Sequence, residues 1–350
     1  MRTIAPELTA AQQSPNFRIA SPSLLLAGVD RSHNLAYFTY RERAFRSAQS
    51  RVLLNNSKGA LTSLLSLGAT VDLARGAIVD GTPYLAQLPR LWVNRYTLER
   101  QWYILECIDF WGKLARWNAP EDLTWTDAVI GDIIDDIFTR VGGLTRETPV
   151  TTTTPSYTLN TGVPGHVALR ELMSRSGLTA YAGLNGNVKF KNLETDTTPV
   201  YTLGWRSGHP IRDVSYSPGV SRYNRVTVIG GLDAGTGLPI EETANDAQQQ
   251  AWVGIRLLLI EEPMLTNTLL ARHRAKQTLA MHMAMASRAQ PVSLPIHGLE
   301  VLDLCTLATT PWGGENYLIR CAGYTEEFRP RHHYQKWFPY AYHVREYVEV

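Results

Sequence analysis

The feature that most constrains this chain is the alternation of aromatic and β-branched residues with polar ones. It is plainest in Trp92-Val93-Asn94-Arg95-Tyr96 and in Trp102-Tyr103-Ile104-Leu105. Successive side chains of a strand point to opposite faces, so alternation of this kind favours a half-buried strand. Comparable segments run from Leu35 to Tyr40, Arg51 to Leu54, Ala69 to Leu73, Leu91 to Thr97 and Trp102 to Phe110. Turn-like stretches such as Asn55-Asn56-Ser57-Lys58-Gly59 separate them. Further strands are expected at Tyr223 to Ile229, ending at Gly230-Gly231, and at Val292 to Ile296, Val301 to Leu307, Tyr317 to Phe328 and Trp337 to Tyr347. Strands spaced in this way predict an antiparallel barrel or sandwich.

Helices interrupt the pattern. Ile130, Ile133, Ile134, Ile137, Phe138 and Val141 form one apolar face, with Thr126 as the expected cap and Gly142-Gly143 as the stop. A second helix opens the stretch from Gly165 to Leu193. Leu169, Leu172 and Met173 are helically spaced, and Gly177 suits a C-terminal cap. Leu178 to Ala182 and Val188 to Phe190 then flank Asn185-Gly186, a dipeptide that accepts positive φ in a tight turn. A third helix is expected from Pro263 to about Ala286, with Leu265, Leu269, Ala275, Leu279 and Met283 turned inward. Residues 1–20, with Pro6 and Pro15, read as an irregular arm. Residues 143–164 and 232–250 read as exposed excursions, marking contacts with neighbours or flexible loops.

At 350 residues, with 44% hydrophobic and 19% charged, the chain can bury two or three cores. Its 34 basic and 32 acidic residues leave a net charge of +2, and no block of like charge stands out. That argues against a dedicated binder of nucleic acid or of membrane surfaces. The apolar run from Leu24 to Gly28 is too short for a signal-peptide core or a membrane span, so a soluble protein made in a cytosol is expected. Cys107, Cys305 and Cys321 each lie in an apolar strand-like run and read as buried free thiols.

Catalytic chemistry finds little support. Glycosidases need paired carboxylates, and peptidases need a nucleophile with its base. The acidic pairs are Glu241-Glu242, Glu261-Glu262 and Glu326-Glu327. Neighbours on a strand point to opposite faces, which weakens the last pair in particular. Asp132 and Asp136, four apart on the first helix, read as a solvated acidic face beside Asp127 and Asp135. His332-His333 reads as a polar hairpin tip, without Cys or carboxylate at metal-ligand spacing. There is no Gly-x-Ser-x-Gly, no His-Glu-x-x-His and no phosphate loop. No catalytic, cofactor-binding or metal-binding residue is therefore assigned, and no cofactor is expected. The nine Trp could serve as sugar-stacking platforms, but most lie in alternating strands and read as core or subunit interface.

The two β regions echo one another. Gly68-Ala-Thr-Val71-Asp72-Leu73 is matched by Gly298-Leu-Glu-Val301-Leu-Asp303-Leu304, with one extra residue before the second Asp. Tyr96-Thr97-Leu98-Glu99 is matched by Tyr324-Thr325-Glu326-Glu327, and an aromatic strand follows in each case. This order and spacing suggest a tandem pair of related barrels.

Three segments together resemble the baseplate hub proteins of phage tails, related injection machines and gene transfer agents. They are Ser221-Arg-Tyr-Asn224-Arg225-Val226-Thr-Val228-Ile-Gly230, the Ala168-Leu169-Arg-Glu-Leu172 helix running through Tyr181 to Asn185-Gly186-Asn187-Val188-Lys-Phe190, and the Ala-rich helix followed by Gly298-Leu-Glu-Val301-Leu-Asp303. The resemblance covers most of the chain beyond about residue 45. It implies a mainly β fold with α+β insertions: two tail-tube-like antiparallel β-barrels plus a small helix-hairpin domain. The expected domains are a first barrel with its arm at 1–118, an α+β insertion at 119–196, and a second barrel at 197–350 that includes the polar excursion at 232–262 and the helix at 264–286. The family's three-copy ring, with six barrels around a channel, implies a structural hub in the virion tail tip that matches a six-fold tail tube. The implied partners are two further copies, the tail tube or distal tail protein, tip, spike or fibre proteins, and a tape-measure protein in the lumen. DNA would pass only in transit, and any lytic enzyme, spike or fibre would be a separate chain. The alternatives are a tail-associated cell-wall hydrolase and a host-receptor or carbohydrate-binding tail protein.

Overall fold

Strands dominate the computed structural model, as the alternation predicts. It describes residues 2–337 except 14–17, 45, 58, 60, 62–64, 194, 206–207, 218, 234, 264, 287, 309–315 and 330–331. Helix α1 (Pro6–Ala11) replaces the expected irregular arm. Its Pro sits in the first turn, where a missing N–H costs nothing, and Leu8 is fully buried with Ala77 and Ala86. Strands β1 (Ser23–Leu26), β2 (Val29–Asp30), β3 (Leu35–Arg43), β4 (Arg46–Asn55), β5 (Thr70–Val79), β6 (Thr82–Gln87), β7 (Leu91–Glu99) and β8 (Trp102–Ile108) follow. Phe110, expected to end a strand, instead opens α2 (Phe110–Arg116), because the Asp109 carboxylate accepts from the Gly112 N–H and caps a helix there.

The middle of the chain contains β9 (Leu123–Val129), α3 (Ile130–Val141), β10 (Thr145–Arg146), β11 (Thr153–Leu159), α4 (Gly165–Ser176), β12 (Thr179–Ala182) and β13 (Asn187–Lys191). The apolar face of α3 is buried as expected, except that Val141 is only half-buried, and Gly142 ends the helix at φ 78°. Its start differs: Thr126 lies in β9, and the helix begins at Ile130 without a side-chain cap. Residues 153–159 are not a surface connector. They pair with β9, with Leu159 opposite Leu123. The α4–β12–β13 module is as expected. Gly177 caps α4 in the left-handed conformation, and Asn185 and Gly186 turn the hairpin at φ 56° and 85°.

Next come β14 (Tyr201–Gly204), β15 (His209–Ser217), β16 (Arg225–Leu232), β17 (Pro239–Asn245), α5 (Ala247–Val253), β18 (Leu257–Glu261), α6 (Thr268–Ala286), β19 (Arg288–Ser293), β20 (Leu304–Ala308), β21 (Asn316–Arg320), β22 (Gly323–Arg329) and β23 (His332–Trp337). The 232–250 stretch is thus largely a strand and a helix, and β17 pairs along β16. Helix α6 starts five residues later than Pro263. Asn267 caps it by accepting from the Leu269 and Leu270 N–H groups. Leu269 therefore falls on the exposed side, while Ala271, Ala275, Leu279 and Met283 face inward. Most of the strand expected from Trp337 to Tyr347 lies outside the described residues.

One fifteen-stranded sheet links the two β regions, in the order β2-β1-β5-β7-β8-β4-β3-β22-β23-β19-β15-β14-β20-β21, with β6 on β5. The join is the antiparallel pairing of β3 with β22, which sets Glu42 opposite Tyr324 and Phe38 opposite Phe328. Pairing is not wholly antiparallel, since β14 runs parallel to both β15 and β20. The echoing motifs land in different local structures: Val71 to Leu73 lie in β5, whereas Val301 and Leu302 form a turn with Leu302 at φ 74°. One apolar core runs through both β regions. A second fills the space among α2, α3, α4, β9 and β11–β13. A third lies between α6 and the β17-β16-β18 sheet.

Candidate functional site: a buried ionic junction

The densest cluster of buried charge lies where the N-terminal arm, both β regions and the α4–β13 module meet. Arg75 on β5 is 1% exposed and Glu326 on β22 is 0% exposed. The guanidinium donates to both Glu326 carboxylate oxygens, at 2.9 and 2.8 Å. It also donates to the carbonyls of His297 and Ala86. Forked guanidinium–carboxylate geometry is the strong form of an ion pair, and burial removes water as a competitor.

Around the β3–β22 join, the Tyr40 and Tyr324 hydroxyls both donate to Glu42, each at 2.9 Å. Arg2 enters from the arm, with its backbone N–H on the Gly298 carbonyl and its side chain 3.5 Å from Glu42 and 3.7 Å from Glu300. Burial raises the pKa of Glu42, with Arg2 and the two hydroxyls opposing it. Burial also works against the Arg2 charge, but Tyr324, Glu42, Tyr40 and Glu300 outweigh it and hold the guanidinium protonated. For Glu300 burial is again outweighed, here by Arg2 and Lys189 among others, and its pKa falls.

The hairpin module is tied in from the other side. Lys189 and Lys191 alternate along β13 and reach Glu300 at 3.1 Å and Asp303 at 3.3 Å. Asp303 also accepts from the Glu300 N–H, closing the 300–303 turn. Arg320 on β21 donates to the Leu302 carbonyl and pairs with Asp196, which Lys191 also contacts. Four stretches distant in sequence therefore share one ionic network. Moving one of these stretches against the others pulls buried charges away from partners they share, so the network resists relative movement of the pieces it joins.

Glu326 and Glu327 do face opposite ways: Glu326 is held by Arg75, and Glu327 is half-buried. Glu242 pairs with Arg272 and Glu262 with Arg274. On α3, Asp136 pairs with Arg140 and Asp135 with Arg146, leaving Asp132 exposed. Among the described residues no three His, Cys, Asp or Glu side chains gather as a metal site. The His332 and His333 backbones sit at the start of β23, opposite Arg329 and Phe328 of β22. Trp92 and Trp111 are buried and Trp125 stacks on Tyr157, whereas Trp252 on α5 is exposed. All three cysteines are buried and free. No helix among the described residues is long and apolar enough to cross a membrane.

The architecture has counterparts among solved structures. The 43 kDa tail protein of prophage MuSo2 from Shewanella oneidensis superposes with a TM-score of 0.63, over 93% of this chain and 98% of that one, at 13% identity. The tail protein from Neisseria meningitidis MC58 gives 0.66 over 93% and 96%, at 12% identity. This chain has the phage tail-protein fold. A component of the Escherichia coli type VI secretion system, c3393, described as similar to the T4 bacteriophage tail proteins gp27 and gp5, gives 0.54 over 93% of this chain and 79% of that one, at 11% identity. No protein-family model and no curated protein matches the sequence itself. The tail-protein fold spans both β regions and the modules between them, in accord with the resemblance drawn from sequence. At such identities the likeness is one of fold, and function has to be argued from the molecule.

Proposed function

We propose that this chain is the structural hub of a phage-type tail tip, a non-enzymatic virion component that joins the tail tube to the tip. The observation that carries the proposal is the combination of the tail-protein fold over 93% of the chain with an ionic junction that locks arm, strands and hairpin module together. A hub transmits force between the tube and the tip, so its domains must not slide. Buried, mutually satisfied charges oppose sliding because any displaced intermediate strands a charge.

On this reading residues 1–118 and 197–350 are two tube-like units flanking the insertion at 119–196, and the β16–β18 sheet with α6 is a further insertion in the second unit. Three copies then form a ring that is three-fold by sequence and nearly six-fold by shape, suited to a six-fold tube on one side and to spike or fibre proteins on the other. The channel passes DNA, and holds a tape-measure protein before ejection, without reading sequence. Mass measurement of the purified chain with particle imaging tests this. Rings built from three chains, with a central channel, are expected. A chain that stays monomeric beside its tube and tip proteins would refute the hub.

A further inference from the structure

Strand β18 is the least explained element of the molecule. Its sequence is Leu257-Leu258-Leu259-Ile260-Glu261, yet no residue in it is buried. Leu257 and Leu259 are 50% and 48% exposed, and Ile255 just before them is 61% exposed. In the β17-β16-β18 sheet it is an edge, paired in parallel with β16 and, among the described residues, with no strand on its other side. Helix α6 packs on β16 and β17 and leaves β18 half covered. A flat aliphatic edge with unpaired backbone groups is a template for another strand.

Charge gives that edge a direction. At its start lie Arg256 and, in register with Leu257 on β16, Arg225. At its end lies Glu261, in register with Ile229, whose other neighbour is Glu241. Among the described residues none of these four charges belongs to an ion pair. A second strand of the same sequence laid parallel would set Glu261 against Glu261 and Arg256 against Arg256. Laid antiparallel about a two-fold axis at Leu259, it sets the basic end of each copy beside the acidic end of the other, twice. Leu259 then faces Leu259 of the second copy, and Leu258 faces Ile260.

We propose that the β18 edge is a self-association surface, occupied by β18 of a second copy in antiparallel, two-fold register. A two-fold contact is self-complementary and closes with two chains, so it is independent of any three-fold ring. Where the two-fold axis crosses the axis of a three-fold ring at a right angle, two rings join face to face.

Light scattering on the full chain and on Leu259→Glu tests the proposal, with far-UV circular dichroism to verify the fold. Leu259 is half-exposed, so the folded state tolerates the charge, and the particle mass should halve. A fall from six chains to three supports both the ring and this contact; a fall from two to one supports this contact and refutes the ring. Three chains in both proteins refutes this contact and leaves the ring standing. A second variant, Leu259→Cys, should form a disulfide-linked pair on mild oxidation, because the axis brings the two residues together. Leu238→Cys, on the exposed β16–β17 hairpin, should not. An unchanged mass, or equal cross-linking at both positions, overturns the proposal.

Discussion

Replacing Glu326 with Leu removes the one carboxylate that, among the described residues, pairs with the Arg75 guanidinium, and leaves the charge 1% exposed. Two charge-assisted hydrogen bonds are lost, each contributing about 1.5–3 kcal/mol, or about 3–6 kcal/mol together. Breaking a buried ion pair by deleting one partner typically costs about 3–5 kcal/mol, so the two routes agree. The His297 and Ala86 carbonyls keep their donor, which prevents a larger loss. Glu326→Gln retains one acceptor and should cost about half as much. Arg75→Met removes the same two hydrogen bonds from the Glu326 side and should also cost about 3–6 kcal/mol. The double variant buries neither of these charges and leaves the His297 and Ala86 carbonyls short of a donor, so its loss should fall well below the sum of the single losses, with a coupling of about 3 kcal/mol. Urea unfolding followed by tryptophan fluorescence, run as a double-mutant cycle, measures all of this. Single losses that add to the double within about 0.5 kcal/mol would refute the claim that the pair acts as one buried unit.

Burial pushes the Asp109 carboxyl up to about 7, against hydrogen bonds from Ala48, Gly112 and Ser47. The folded state therefore keeps a proton that the unfolded chain releases near pH 4, and this group's contribution to stability falls as pH rises from about 4 to about 7. Asp109→Asn should gain stability relative to the parent across that window, read from melting temperatures against pH. Arg146 grips Asp135 with the same forked geometry as Arg75 on Glu326, at 3.0 and 2.7 Å, but in partial contact with water. Asp135→Asn should cost less than about 1 kcal/mol in urea unfolding. A Cβ on Gly76 would collide with the Tyr84 carbonyl and the Leu85 backbone across the β5–β6 pairing, so Gly76→Ala should cost at least about 3 kcal/mol, visible as lost soluble yield.

Elements whose information is local were legible in the sequence. The apolar face of α3 repeats at helical spacing, and Asn185-Gly186 carries its own turn preference. Helix α2 was hidden because Phe110 and Trp111 continue the apolar run of β8; the capping Asp109 was the available signal. Strand β17 was hidden because Ile240 and Ala244 alone face the core, so a half-buried strand looked like a polar loop. The pairing of β3 with β22 leaves no trace in either segment, since register between distant strands is set by the whole core. The junction was only partly visible. Arg75 is a charge between Ala74 and Gly76 in a largely apolar strand, a sign of a buried partner, but nothing nearby identifies that partner as Glu326 rather than Asp72 of the same strand. Arg2 sits in an arm whose sequence gives no hint of burial.

The β3–β22 join also sets a timetable. Glu42 and Tyr324 are 282 positions apart. At about 5–20 residues per second, a ribosome needs roughly 15–60 s to make the stretch between them. Throughout that interval β3 has β4 on one side and no native neighbour on the other. Its outward edge, which includes Tyr37-Phe38-Thr39-Tyr40, is then open to any passing strand. The sheet that unites the finished molecule thus makes its nascent form dependent on being shielded, and expression at lower temperature or with added chaperones should raise the soluble yield more than stabilising substitutions elsewhere.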